Sequence, residues 1–373
     1  MDQKESPIKP RILLAPLDWG LGHATRCIPV IKQLLKKNCT VFLAGDGKVK
    51  SLLIREFPQL PFLHLPGYKI QYTKEKLLMP FHIMGQIPKI LSAIKWENEW
   101  LEKIVEEHQI DAVISDNRYG LYHDRIPSVF ITHQLFIKSG FGKLADEILQ
   151  IENYRYINRF FECWVPDAEG ENNLSGELSH PEKMPETHVR YLAPLSRFEK
   201  KEESTQEKNV LIILSGPEPQ RTILEEQLVQ QLKDHPQQVV LIRGLPENDK
   251  TLDIGSHVTV HNHLPAAELE KMICEASFIV SRCGYSTIMD LAALQKKSIL
   301  IPTPGQTEQE YLALHLMKQN FALCITQDKF RLKNALELAA SFNYHLALPG
   351  DKEQLNKTID SFLAIVSSNK SMP

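Results

Sequence analysis

Two glycines, a histidine and an arginine crowd one short turn of this chain, PLDWGLGHATR at residues 16–26. The turn follows the apolar run ILLAP (12–16) and precedes IPVIKQLLKK (28–37), whose apolar residues recur at helical spacing. Gly20 and Gly22 suit a tight bend and a ligand's close approach to the backbone. His23 and Arg26 are not needed for a bend. His23 is expected at or near the helix N-cap, where the helix dipole opposes protonation of an imidazole. A neutral imidazole there can serve as a general base. The plainer reading is a histidine that only caps the helix. Asp116, ending the run AVISD, is expected at the same sheet edge and could orient His23. His133 also ends a strand there, as a binding residue or as a core histidine.

A second, denser stretch is FIVSRCGYSTIMDLAALQKKSILIPTPGQTEQEYLALHL, residues 278–316. A strand ends at Ser281, a turn at Gly284 opens a helix, and Asp290 lies two turns in. A second strand ends in PTPG, and the next helix opens with Gln306, Thr307, Glu308, Gln309 and Glu310. A helix start after Gly284 offers free N–H groups and a positive dipole end to an anion. Carboxylates and amides suit the hydroxyls of a sugar or ribose. Taken singly, Glu308 and Glu310 read equally well as solvated helix-start residues. A dinucleotide fingerprint fails in the first turn, because Thr25 stands where G-x-G-x-x-G needs its third glycine. Asp46, the acid nearest the end of the second strand, falls inside a turn.

The elements that must position these residues alternate along the chain. Strand-like runs at 12–16, 40–45, 62–65, 112–115, 128–132 and 163–167 are mostly separated by amphipathic helical runs. The charged segment RFEKKEESTQEKN (197–209) lacks apolar periodicity and reads as a linker. The alternation restarts at 210–216, 239–244, 258–262, 278–284 and 297–305. The 373 residues, 43% of them hydrophobic, are enough for two α/β cores with parallel sheets. A net charge of -3 gives no case for a nucleic-acid partner. The polar start MDQKESPIKP is not a signal peptide, and no run approaches the roughly 20 apolar residues of a membrane span. A cytoplasmic location is therefore expected. The six scattered cysteines read as buried hydrophobes.

The 278–316 stretch resembles the donor-binding signature of UDP-sugar glycosyltransferases of GT-B fold, above all the peptidoglycan family that adds N-acetylglucosamine to lipid I. The family pattern reads here as Ser281, Arg282, Gly284, Thr287, Asp290, Pro302, Gln309 and Glu310. GLGH matches the family's opening turn at Gly20, Gly22 and His23. FITHQ is similar to its acceptor-side segment, and LAPLSR (192–197) to the segment before the donor domain. The resemblance implies two Rossmann-like domains facing a cleft. These would be an acceptor-binding domain (1–196), a linker (197–209), a nucleotide-sugar domain (210–350) and a C-terminal helix (351–373) packing back on the first domain. It implies a metal-independent, inverting glycosyltransferase with UDP-sugar as co-substrate and no other cofactor, and no D-x-D metal motif is found. His23 would be the base, with Asp116 behind it. Donor contacts would come from Ser215, Gly216, Arg221, Arg197, His263, Leu264, Gly284, Ser286, Thr287, Asp290, Gln309 and Glu310. Acceptor contacts would come from Gly20, Gly22, Arg26, His133 and Gln134.

Three departures stand out. Asp290 replaces the usual glutamate, Glu310 replaces the second glutamine, and LSGPEPQR (214–221) has one glycine where the family has a Gly-Gly-Ser-x-Gly loop. Arg221 or Arg197 is expected to supply the missing positive charge to the diphosphate. The stretch 68–96 interleaves five lysines with apolar residues. It would suit an anionic membrane's inner face and a lipid-linked or amphipathic acceptor, or else a cleft loop and a core-packing helix. GLGHATRC also resembles the turn of the UDP-sugar hydrolase of pseudaminic acid synthesis, so hydrolysis is the alternative activity. A non-catalytic sugar-nucleotide-binding protein is a third.

Overall fold

The computed structural model describes residues 9–68, 85–200, 209–245, 250, 252–347, 349–351 and 353–370. Its N-terminal sheet contains β1 (Arg11–Pro16), β2 (Thr40–Gly45), β3 (Phe62–His64), β4 (Ala112–Asp116), β5 (Ser128–Ile131), β6 (Glu162–Val165) and β7 (His188–Tyr191). They lie in the order β3-β2-β1-β4-β5-β6-β7, all parallel. The second sheet contains β8 (Asn209–Ile213), β9 (Val239–Ile242), β10 (Val258–His261), β11 (Ala276–Arg282), β12 (Ser298–Ile301) and β13 (Leu323–Cys324). Its order is β10-β9-β8-β11-β12-β13, again parallel. This is the expected α/β class with two Rossmann-like domains.

Parallel strands need crossover connections, and these cover the sheet faces. The helices of the N-terminal domain are α1 (Leu21–Lys36), α2 (Gly47–Glu56), α3 (Ile87–His108) and α4 (Lys143–Ile157). Those of the C-terminal domain are α5 (Gln220–Leu232), α6 (Ala266–Glu275), α7 (Tyr285–Leu294), α8 (Thr307–Lys318) and α9 (Leu332–Ser341), followed by α10 (Gln354–Lys370). The pleat of β1 sends Leu13 and Ala15 into a core under α3, and Ile12 and Leu14 into a core with α1. That second core runs on across the domain boundary through Leu264, Ile288, Met289 and Leu312. It also takes in Ile359, Phe362 and Val366 of α10, whose Phe362 ring meets Trp164 edge-on at 5.3 Å. Lys37 and Asp360 pair beside it.

Each sheet reverses its strand order once, between β1 and β4 and between β8 and β11. Such switch points are where open parallel sheets hold ligands, beyond the carboxyl ends of the strands. The turn 16–26 leaves the first switch point, and Gly284 leaves the second. Residues 69–84, most of the proposed membrane-facing stretch, and 201–208 of the linker lie outside the described residues. Among the described residues, no helix is long and apolar enough to cross a membrane.

Candidate active site

The first turn is tighter than expected. Helix α1 begins at Leu21, with Gly20 as its N-cap at φ 150°, a conformation that favours glycine. His23 therefore lies inside the first helical turn and does not cap it. Its side chain is 18% exposed, and Nδ1 lies 2.7 Å from Oδ1 of Asp116, which ends β4 fully buried. The register of β1 on β4 makes this possible, since Pro16 pairs with Asp116 across the switch point. Arg26, one turn further along α1, donates to the same carboxylate from Nε at 2.6 Å and from Nη2 at 2.5 Å.

The charges set the protonation states. Burial alone would raise the Asp116 carboxyl, but Arg26 and His23 together hold it well below the usual carboxylate range. Burial, then the Arg26 cation, push His23 below its ordinary value, against the pull of Asp116. Nδ1 also lies 2.9 Å from Arg26 Nη2, so it meets a donor as well as the carboxylate. With the ring neutral and its proton on Nδ1, toward Asp116, Nε2 keeps its lone pair on the far side of the imidazole.

The C-terminal domain meets this cluster directly. A Cβ added at Gly22 would come within 2.5 Å of Ser286 Oγ, so the first turns of α1 and α7 touch here and a larger residue would force Ser286 to give way. His133 follows β5 and lies flat on Tyr285, the first residue of α7, with ring centroids 4.0 Å apart. Its Nδ1 is 3.2 Å from Arg26 Nη1, and its Nε2 donates to Glu308 Oε1 at 2.9 Å. Gln134 donates to the other Glu308 oxygen at 2.5 Å. The structure thus brings His23, Asp116, Gly20, Gly22, Arg26, His133 and Gln134 together. It adds Glu308 and Tyr285, which reading the sequence did not place there. Below the turn, Arg118 donates to Pro16 O at 2.9 Å and to Glu97 at 2.7 Å, a fully buried pair that props the end of β1.

The residues expected on the donor side divide. Ser215 and Gly216 lie in the loop after β8, while Gly284, Ser286 and Thr287 form the start of α7. Asp290, on the next turn of α7, accepts from Ser196 Oγ at 2.6 Å and lies 4.0 Å from Arg197 Nε. That Nε is buried without a hydrogen-bond partner among the described residues. His263 lies 3.3 Å from Arg55, and burial, Arg55 and Arg197 push its imidazole below its ordinary value. Leu264 is buried in the shared core.

Three expected contacts are engaged elsewhere. Arg221 is locked onto Glu218 and Glu225 at 2.5 and 3.3 Å, so of the two candidate arginines Arg197 is the one left with capacity for an anion. Gln309 accepts from Thr303 N at 2.9 Å, and Glu310 accepts from Gly305 N at 3.0 Å. Both turn back to brace the loop before α8, while Glu308 enters the site. Among the described residues, no three His, Cys, Asp or Glu side chains gather as a metal site.

Two Rossmann-like domains, meeting at their switch points with helix starts face to face, define the GT-B fold of glycosyltransferases. Solved structures agree. The kitacinnamycin glycosyltransferase superposes with a TM-score of 0.63 at 16% identity, covering 98% of each chain. Acinetobacter baumannii MurG superposes at 0.54 and 18% identity, covering 98% of this chain and all of that one. Within this class, residues 210–360 match the glycosyltransferase family 28 C-terminal domain. Similar sequences include the UDP-N-acetylglucosamine–N-acetylmuramyl-(pentapeptide) pyrophosphoryl-undecaprenol N-acetylglucosamine transferases of Listeria welshimeri and Listeria monocytogenes. These are 37% and 35% identical over 107 residues, 28% of this chain. The chain spans 27% of the length of the curated relatives it matches.

Proposed function

We propose that the protein transfers a sugar from a UDP-sugar to a hydroxyl of a lipid-linked or amphipathic acceptor, with inversion and without a metal. One observation carries this reading: the His23–Asp116 pair of the N-terminal domain stands against the helix start of α7, the donor signature of the other domain. The Listeria relatives, named for a UDP-sugar donor and an undecaprenol-linked acceptor, support both substrate classes.

In the proposed reaction the acceptor oxygen attacks the anomeric carbon as the bond from that carbon to the UDP oxygen breaks. The acceptor proton passes to His23 Nε2, and the bonding electrons leave with UDP. Asp116 holds the resulting imidazolium. The diphosphate charge meets the first turns of α1 and α7 and the side chain of Arg197. Asp290 binds ribose hydroxyls. The protein works in the cytoplasm, resting on the inner face of the membrane.

Incubation with a panel of UDP-sugars, with and without polyprenyl-linked acceptors, tests the reading. UDP release that requires the acceptor is expected, and release with water alone would mean hydrolysis instead. His23→Ala should lower kcat about 10²–10⁴-fold with UDP affinity nearly unchanged. Full turnover in that variant would remove His23 as the base.

A further inference from the structure

Glu308 is the one carboxylate that the described part of the C-terminal domain sends into the His23 cluster, and both its oxygens are used there. Its contacts fix protons. Arg26 can only donate, so its 3.2 Å approach makes His133 Nδ1 an acceptor and puts that ring's proton on Nε2, facing Glu308. Arg26 also grips Asp116 through Nε and Nη2, and both Asp116 and Arg26 Nη2 meet His23 Nδ1, at 2.7 and 2.9 Å. Glu308, His133, Arg26, Asp116 and His23 form one unbroken row of polar contacts. Four members belong to the N-terminal domain. The fifth, with the Tyr285 ring that flattens His133, belongs to the C-terminal domain. The row is complete only when the two domains are together.

We infer that Glu308 is a positioning residue: reaching across from the C-terminal domain, it holds His133 against Arg26 and so sets the readiness of His23 as a base. This rests on the transfer reading above for its kinetic consequence only. Without the Glu308 carboxylate, His133 loses the acceptor for its Nε2 proton. Arg26 then has a partner free to rotate on one side of its guanidinium. The carboxylate also places a negative charge near His23, which strengthens the base.

The other titratable or charged groups around His23 and Glu308 are Arg26 and Cys27 on α1, Asp116 on β4, His133 after β5, Cys283 between β11 and α7, and Tyr285 at the start of α7. Burial opposes ionisation of Glu308, but His133, His23 and Arg26 hold its carboxyl below the ordinary value. The carboxylate is therefore charged at neutral pH.

The test uses the full chain labelled with ¹⁵N-histidine, in wild-type, Glu308→Gln and Glu308→Ala forms. Glu308→Gln keeps shape and an acceptor oxygen but removes the charge. His23 should then protonate at a pH lower by about half a unit, because a nearby carboxylate favours imidazolium. Glu308→Ala should also release His133 from its single tautomer, seen as averaging of its ring nitrogen signals. In Glu308→Gln, kcat should fall about threefold, in step with a half-unit loss of base strength, with KM for UDP-sugar unchanged. The acid limb of the pH profile should move with the His23 titration, and Glu308→Asp should recover part of the loss. An unchanged His23 titration with an unchanged His133 tautomer overturns the inference, as does a raised KM at constant kcat. If the alanine variant does not fold, the glutamine variant decides. If the wild type transfers no sugar, the transfer reading fails and the NMR comparison still judges Glu308.

Discussion

Asp290 is held in a state that costs the fold stability. Burial raises its carboxyl to about 6, against the pull of Arg197 and the Ser196 hydrogen bond. The folded chain therefore binds a proton more tightly than the unfolded chain. Stability falls as pH rises from the unfolded value through about 6, and the deficit is complete above it. Asp290→Asn should then raise the unfolding free energy at pH 7.5 by about 1–3 kcal/mol. The same change should weaken UDP-sugar binding, since the carboxylate keeps acceptor capacity beyond the Ser196 hydroxyl, the Arg197 backbone N–H and a guanidinium 4.0 Å away. In the wild type, affinity should drop below pH 6, and in the asparagine variant it should be flat. Calorimetry should use a UDP-sugar, because a terminal phosphate titrates near pH 6 itself. Equal affinity and equal slope in both proteins would take Asp290 out of the donor site. Not every such residue was legible. His23 and Asp116 could be paired because each ends a recognisable strand or follows one. Glu308 could not be singled out from Thr-Glu-Gln-Glu, because which side chain crosses the interface depends on Gln309 and Glu310 bracing the preceding loop.

At the level of elements, the approach of α1 to α7 decides whether the site can assemble. Gly22 is the second residue of α1, where alanine would favour the helix by up to about 1 kcal/mol. Its Cβ would nevertheless lie 2.5 Å from Ser286 Oγ and 3.1 Å from Ser286 Cβ. Gly22→Ala should leave the melting temperature equal or higher and lower kcat/KM at least about tenfold, because misplacing groups by about 1 Å is costly. Ser286→Gly in the same chain should recover part of the loss by removing the atoms in the way, the remainder reflecting the donor contact assigned to Ser286. Failure of that rescue would show that Gly22 matters for something other than this contact. The strands themselves were readable wherever the chain is apolar on both faces, as in Thr40–Gly45. His188–Tyr191 was missed because it is an edge strand with polar, partly exposed side chains. The start of α1 was set too late because Gly20, Gly22 and Pro29 interrupt the periodic pattern that marks a helix.

The whole molecule carries a feature that neither domain's interior explains. Phe141, Leu144, Ile148 and Ile151, spaced three, four and three residues apart, are 44%, 73%, 55% and 67% exposed along α4 and its approach. Leu91 and Trp96 on α3 are exposed in the same domain. The four-residue apolar stripe along α4 and its approach is expected to mark a contact surface. The segment leading into α4 starts at His133, and Thr307 at the head of α8 bonds Lys138 within it. A bilayer meeting α4 would thus lie close to the His23 cluster and could deliver a lipid-linked hydroxyl to it. Around the stripe, Lys143 pairs with Glu147 and Arg155 with Glu152, so the contact should rest on apolar insertion more than on headgroup charge. Sedimentation with vesicles should show binding that persists on zwitterionic lipid and is stronger on anionic lipid, to which the lysines of 68–96 contribute. Replacing Leu144, Ile148 and Ile151 together by serine removes about 1 kcal/mol each of partial burial, so vesicle affinity should fall about a hundredfold. KM for a polyprenyl-linked acceptor should rise with it, while KM for the UDP-sugar stays constant. Unchanged vesicle binding, with a loss of dimer in the triple variant, would instead assign the stripe to a second copy of the chain.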